Sequence, residues 1–170
     1  REKGRVHLDG FLSYPSAVYT VPYGVMVPKE VGNLLLPVPV SGSHIGFSTL
    51  RMEPCWMAMG QAAGIASDLS IDGKVKVQYI DLSRLQDKLI DQKATLMYFK
   101  DVDYTSPHFR MVQYLGLRGY LPEWTARLQE PVNAATLAAW KKLSGTDLPG
   151  IEAGKTTRLA ALEMIYRKIK

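Results

Sequence analysis

The sequence predicts a mainly helical α+β fold with a few short β-strands near the N-terminus. Polar residues alternate with β-branched and aromatic ones over residues 17–27 and 74–80, which is typical of short strands. Beyond residue 54 the apolar residues recur three and four positions apart, which indicates amphipathic helices. A chain of 170 residues with 46% hydrophobic content is long enough to bury the core that such a fold needs.

The segment before residue 50 is expected to be extended. Prolines interrupt the alternating stretch between residues 15 and 28, so we expect edge strands or extended segments there. A Gly-Asn turn at residues 32–33 precedes the continuous apolar run 34–40, which predicts a buried strand. The small residues of 41–49 favour a loop that approaches a ligand closely; an ordinary surface turn is the alternative.

A helix is predicted over residues 54–70. Pro54 is tolerated in a first helical turn, and good helix formers follow it. Gly60 and Gly64 lie one turn apart within this helix. Because each glycine costs a helix roughly 1 kcal/mol relative to alanine, the pair implies that a backbone or a cofactor packs against this face.

Further helices are predicted in the rest of the chain. Asp81 is expected to cap an amphipathic helix that ends near Lys93. The later helices are expected near 107–117, over 131–143 and over 154–170, the last with Thr156 or Thr157 near its start. The character of the sequence changes after residue 98, so we expect two domains, 1–95 and 96–170.

Composition and charge exclude several classes of function. The net charge is +5, but the basic residues are scattered, so no nucleic-acid interface is predicted. The single cysteine, Cys55, precludes an internal disulfide and a CxxC pair, and its apolar neighbours favour a buried, inert thiol over a nucleophile. No metal site is predicted. No apolar run is long enough to span a bilayer.

The N-terminus has neither an initiator methionine nor the apolar core of a signal peptide. We therefore expect the natural start of the protein to lie upstream, or to have been removed.

Residues 17–70 carry a series of short motifs in a defined order. They are Val21-Pro22-Tyr23, Val27-Pro28-Lys29, Asn33-Leu34-Leu35, Ser41-Gly42-Ser43-His44, Arg51-Met52-Glu53-Pro54 and Met59-Gly60-Gln61-Ala62-Ala63-Gly64. The series resembles the end of the flavin domain in a large bacterial family of FAD-dependent oxidoreductases. The resemblance implies that residues 1–95 are the C-terminal portion of the FAD-binding domain of a flavin-binding α/β protein, which transfers a hydride from a substrate carbon to the flavin.

No Gly-x-Gly-x-x-Gly motif follows a predicted strand in this sequence, so the loop that cradles the FAD pyrophosphate is missing. The resemblance then implies a C-terminal fragment whose partner is the N-terminal nucleotide-binding half. We expect FAD in the full-length parent, no FAD retained by the fragment, and no activity of the fragment alone. Apolar surface left without its partner predicts self-association of the fragment.

The resemblance implies cofactor-binding roles for eight residues. The loop beside the isoalloxazine ring would contain Gly42, Ser43 and His44. Contacts with the flavin would come from Thr49 and Arg51. Close helix packing would involve Gly60, Gln61 and Gly64.

His44 is also the candidate catalytic residue, through proton transfer; a plain structural hydrogen bond is the alternative. For Arg51 the alternative to an anion contact is a surface ion pair with Glu53 or another nearby carboxylate.

The substrate class, small molecule or saccharide, is left open by the sequence. Many relatives have Ala-Gly-Arg where this chain has Pro37-Val38-Pro39, which indicates a subgroup. Some members of that subgroup carry the label xanthan lyase.

Residues 98–145 show a second, shorter series of motifs: Phe99, Asp101-Val102, His108-Phe109, Gln113-Tyr114-Leu115, Gly119-Tyr120-Leu121 and Pro131-Val132. The series resembles a single, degenerate S-layer-homology-like repeat. It implies an alternative function, a carbohydrate or cell-wall binding module of an exported polysaccharide-related protein, and an exported or periplasmic location in a bacterium. The other interpretation is a structural appendage in which Trp124 and Trp140 fill a small helical core.

Overall fold

The computed structural model describes residues 15–170, and within that range six α-helices are joined by irregular segments and two single 3₁₀ turns. The helices are α1 (His44–Leu50), α2 (Glu53–Gly73), α3 (Leu82–Asp91), α4 (Phe109–Gly116), α5 (Ala134–Ser144) and α6 (Arg158–Ile169). The 3₁₀ turns are Tyr23–Met26 and Val77–Tyr79. Among the described residues, no helix combines the length and apolarity that a membrane span requires.

The predicted α+β fold is wrong, and the expected flavin-binding α/β architecture is not seen either. Residues 15–170 contain no β-strand and no sheet, only one isolated antiparallel bridge between Pro131 and Thr157. Residues 17–22 are irregular, and the two stretches expected to be strands at 17–27 and 74–80 each contain a 3₁₀ turn. The described part of the chain is therefore helical.

Proline explains why the apolar run 34–40 does not form a strand. The amides of Leu36 and Ser41 each donate a hydrogen bond of 2.8 Å to a carbonyl of the 25–26 segment. Between them, Pro37 and Pro39 carry no N–H, so the ladder that would make two strands cannot continue. The segments stay side by side but irregular.

Short polar side chains start most of the helices. Ser43 converts the predicted loop into α1, because its hydroxyl accepts a hydrogen bond from the Gly46 amide at 3.0 Å. Asp81 caps α3 as predicted, and Asn133 and Thr157 cap α5 and α6 in the same way. The helices predicted over 54–70, from 81, near 107–117, over 131–143 and over 154–170 are confirmed, with shifted ends.

The apolar residues form three buried clusters. Two lie around α2: one joins it to α3, and the other joins it to residues 21–40. The third draws on residues 97–169 and surrounds Trp140, which is 1% exposed and donates its indole N–H to the Tyr120 carbonyl at 2.8 Å. The predicted core role is thus confirmed for Trp140, whereas Trp124 is 49% exposed. The domain boundary near residue 95 stays a prediction.

Gln113 of α4 connects the C-terminal cluster to the segment that leaves α3. It is the one fully buried polar side chain among the described residues. Its carbonyl oxygen accepts the amides of Leu96 and Met97, both at 2.8 Å, and its amide nitrogen donates to the Met97 carbonyl at 2.7 Å. Arg110, also on α4, pairs with Asp87 and Asp91 of α3. These contacts fix α4 against α3.

We expect Gln113→Leu to lower the free energy of unfolding by about 3 kcal/mol, because a leucine of similar size leaves three backbone groups without a partner. Chemical denaturation followed by tryptophan fluorescence measures the change. Gln129→Leu, at an exposed position, is the matched control and should change the value by less than about 0.5 kcal/mol. Equal effects of the two substitutions would contradict this role of Gln113.

Candidate functional site

The first three candidate residues form the start of α1 rather than a loop. Ser43 is the N-cap, and its hydroxyl is engaged by the Gly46 amide. His44 is the first helical residue, and its side chain is exposed. A Cβ on Gly42 would lie 3.5 Å from the Phe47 nitrogen, an ordinary van der Waals distance. Ser43 therefore has a structural role, and both interpretations of His44 remain.

Thr49 and Arg51 lie at the other end of α1. Arg51 is its C-cap, and its backbone N–H donates to the Phe47 carbonyl at 2.9 Å. The guanidinium is exposed, and within the described part of the chain it makes no ion pair with Glu53. A helix of seven residues is about 10 Å long, so His44 and Arg51 present their side chains at opposite ends of that length.

Gly60, Gln61 and Gly64 lie on the exposed face of α2. A Cβ built on either glycine would meet no atom within 4 Å. The opposite face of the helix is buried and includes Met59 and Ala66. The close packing expected at the two glycines is therefore not made by residues 15–170.

The eight candidates thus form two groups on neighbouring elements. One group lies within residues 42–51, which comprise α1 and the residues at its two ends. The other group, Gly60, Gln61 and Gly64, begins about 10 Å along α2 from its first residue, Glu53. All eight are exposed or only partly buried. Their exposure leaves both groups accessible to something that approaches from outside.

A cavity of about 750 Å³ is the feature that sequence analysis missed. It lies between residues 18–26, the buried side of the first turns of α2, helix α3 and residues 95–96. Of the described residues that line it, none is Asp, Glu, Lys, Arg or His, and none is among the eight candidates. Its walls come from segments far apart in the sequence, so no local motif could indicate it.

Tyr19 and Cys55 both line this cavity and contact each other through their polar atoms. The Tyr19 hydroxyl lies 3.2 Å from the Cys55 sulfur and donates to the Thr49 carbonyl at 3.4 Å. The hydrogen bond with Cys55, together with partial burial, raises the pKa of Tyr19 to about 12. Cys55 is half-buried at the edge of an apolar cluster and has Tyr19 as a polar partner, so the prediction of a buried thiol is wrong, whereas its inertness stays a prediction.

A second tyrosine, Tyr23, also lines this cavity. The Tyr23 hydroxyl donates to the Val77 carbonyl at 2.8 Å, and burial raises the pKa of this phenol.

Among residues 15–170, no group of three or more His, Cys, Asp or Glu side chains is placed to hold a metal ion.

One comparison with known proteins gives a match. A family model described as FAD dependent oxidoreductase matches residues 2–89, which is just over half of the chain. The matched range contains all eight candidate residues and the Tyr19–Cys55 pair. No curated protein and no solved structure matches the chain.

We expect the hydroxyl of Tyr19 to ionise near pH 12 in the folded chain, instead of near pH 10 as in an unfolded one. Subtracting the tyrosinate absorbance titration of Tyr19→Phe from that of the wild type isolates this group. Because the folded pKa is the higher one, the stabilisation is fully present below about pH 10 and is lost as the pH rises toward 12. A difference curve centred near pH 10 would contradict the hydrogen bond to Cys55.

Proposed function

Because the chain belongs to the FAD dependent oxidoreductase family, we propose that it supplies the flavin-facing loop and helix of such an enzyme, while a nucleotide-binding part holds the rest of the cofactor. The observation that carries this proposal is the open face of α2 at Gly60 and Gly64. The chain would then be the C-terminal fragment of the enzyme, inactive and without retained FAD when it is alone.

Helix α2 has apolar residues on both faces. Its buried face packs on α3, while the exposed face carries Met57 and Ile71, each 76% exposed, on either side of the two glycines. The same exposed face also carries the polar residues Ser67 and Asp68, so it is mixed rather than wholly apolar. The glycines remove side-chain bulk at the centre of that face, so a flat ring or a backbone can approach α2 closely. This supports a missing layer on that side.

The residues present fit the ring of a flavin better than its phosphates. The open glycine face offers a flat surface, and the exposed guanidinium of Arg51 offers a cation for the negative charge that develops on the pyrimidine side. The sequence has no glycine-rich phosphate loop, so the pyrophosphate would be bound by the nucleotide-binding part. When bound, FAD supplies the hydride acceptor.

The chain's own residues would then act by binding and orientation. Arg51 would hold the anionic edge of the ring, and Thr49, one turn before the start of α2, would lie beside it. His44, at the exposed start of α1, would hold or release a proton near the substrate. Gly60 and Gly64 would exclude water by close packing. When the nucleotide-binding part is absent, the glycine face of α2 is left uncovered. We propose that the isolated chain then associates with itself through this face.

A leucine at Gly64 tests the proposed packing. In the chain alone we expect Gly64→Leu to fold normally, because a Cβ at this exposed position meets no atom of residues 15–170 within 4 Å. In the polypeptide that also contains the nucleotide-binding part, the added bulk should abolish the flavin absorption spectrum. Ala138→Leu adds a large side chain to an exposed position of α5 and should leave the flavin bound.

The smaller substitution Gly64→Ala separates packing from helix stability. It should raise the stability of the isolated chain by about 0.5–1 kcal/mol, since alanine favours the helix over glycine, and still weaken flavin binding. Flavin retained unchanged by Gly64→Leu would refute the proposed contact. A wild-type polypeptide that binds no FAD on reconstitution would refute the function itself.

An exposed aromatic pair favours a second function, the binding of carbohydrate or a cell-wall polymer. Tyr98 and Trp124 are 43% and 49% exposed, and their rings meet edge to face with centroids 6.4 Å apart. The loops that carry them are tied together, because Lys100 donates its amide to the Trp124 carbonyl and Asp101 accepts the amides of Ala126 and Arg127. Such a rigid corner offers one free ring face for a sugar. This function would require an exported or periplasmic protein.

Affinity electrophoresis in gels that contain soluble polysaccharide tests the second function. We expect retardation of the wild-type chain and its loss in Trp124→Ala, because the indole provides most of the exposed ring surface. Tyr104→Ala, at another exposed tyrosine of the same part of the chain, is the control and should be retarded like the wild type. Equal migration of all three chains with and without polysaccharide would remove this function.

A further inference from the structure

A short irregular segment contacts the junction between α1 and α2. Residues 15–20, which we call the strap, have no regular secondary structure and are exposed along their length. Two of their side chains nevertheless reach Thr49 in the last turn of α1. The hydroxyls of Ser16 and Thr49 lie 3.3 Å apart, and the Tyr19 hydroxyl donates to the Thr49 carbonyl at 3.4 Å.

The hydrogen bonds at Tyr19 can be satisfied together in one arrangement. The Thr49 carbonyl is among the last four of α1, which lack a partner within the helix. A phenol has a single proton, which is shared here between the Thr49 carbonyl oxygen and the Cys55 sulfur, 3.2 Å away. Donation to the sulfur agrees with the raised pKa of Tyr19. The Tyr19 hydroxyl thus joins Cys55 in the first turn of α2 to Thr49 in α1.

We infer that Tyr19 is a positioning residue, whose hydroxyl sets the orientation of α1 relative to α2 and thereby of the flavin-facing residues Thr49 and Arg51. The relevance to flavin depends on the proposed function; the coupling of the two helices depends on the contacts alone. Thr49 and Arg51 stand at the junction that the hydroxyl bridges, whereas His44 stands at the far end of α1. Gly60 and Gly64 lie on α2, so a change in the angle between the helices moves the two candidate groups relative to each other.

The composition of the junction explains why a single hydroxyl matters there. Helix α1 has seven residues, and none of them is fully buried. So short a helix is marginal without tertiary contacts. Partly buried Leu50, which packs against the apolar cluster that joins α2 to residues 21–40, is its apolar anchor. The polar bridge through Tyr19 supplies a second point of attachment, and two points are needed to fix an orientation.

The first measurement is hydrogen exchange of the chain, read by mass spectrometry on peptides that cover α1. We expect Tyr19→Phe to speed the exchange of the α1 amides about two- to tenfold, the factor that one net hydrogen bond supplies, while α3 and α4 stay unchanged. Tyr79→Phe removes a hydroxyl from a 74% exposed tyrosine outside the strap and should leave α1 unchanged. Cys55→Ala should reproduce part of the effect, and Cys55→Ser, which keeps an acceptor for the Tyr19 hydroxyl, should restore it.

The second measurement uses the polypeptide that contains the nucleotide-binding part. Tyr19→Phe should retain FAD but shift the visible absorption band of the bound flavin, and Tyr79→Phe should not. A flavin band identical to that of the wild type would overturn the positioning role, whatever the exchange rates. If the wild type binds no flavin, the proposed function fails. The hydrogen-exchange rates of α1 alone then decide whether Tyr19 couples the two helices. Rates unchanged by Tyr19→Phe would overturn the inference as well.

Discussion

The packing of α2 against α3 is the contact on which the rest of the described structure depends. Buried residues of the two helices meet in one apolar cluster, formed by Ile65, Ala66 and Leu69 with Leu85 and Leu89. Because this cluster occupies one side of α2, it determines which side stays open, and the open side is the one with the glycines. The same helix α3 faces α4 through its acidic residues, so it also positions the C-terminal helices.

Polar contacts join α3 and the segment that follows it to α4. Gln113 binds the backbone at residues 96–97, and Arg110 pairs with Asp87 and Asp91 on α3. A fully satisfied buried amide is specific in geometry, because each of its partners has one position in which it can bond. The join therefore fixes an orientation, while the apolar clusters on either side of it provide the driving force for burial.

The helices were predictable because their starts depend on neighbouring residues. Strands depend on a partner segment elsewhere in the chain, and their prediction was wrong. Ser, Asp, Asn and Thr at the helix starts act on amides two or three residues away, so sequence alone can identify them, as it did for Asp81. A strand instead needs a partner with free donors, and Pro37 and Pro39 remove those donors from the partner segment. Alternation of residue types indicates the capacity to form a strand, not the presence of its neighbour.

The candidate site likewise has one part that the sequence could predict and one part that it could not. The order of motifs between residues 17 and 70 indicated the family, because short motifs are contiguous. The Tyr19 bridge and the cavity beside it depend on residues 30 or more positions apart, and no pattern in the sequence brings these together. The expected close packing at Gly60 was predicted from the cost of glycine in a helix, a local quantity, but what packs there is not a local property.

The prolines of the N-terminal segment also protect the protein in a way unrelated to its fold. Residues 15–40 expose several large apolar side chains, among them Val18, Leu34 and Val38, on a backbone that is irregular apart from one 3₁₀ turn. Such a segment would ordinarily template the growth of intermolecular sheets. Prolines at 15, 22, 28, 37 and 39 remove amide donors from this segment, which disfavours its pairing with a foreign strand along its length. The segment can remain apolar enough to cover α2 without becoming a nucleus for amyloid.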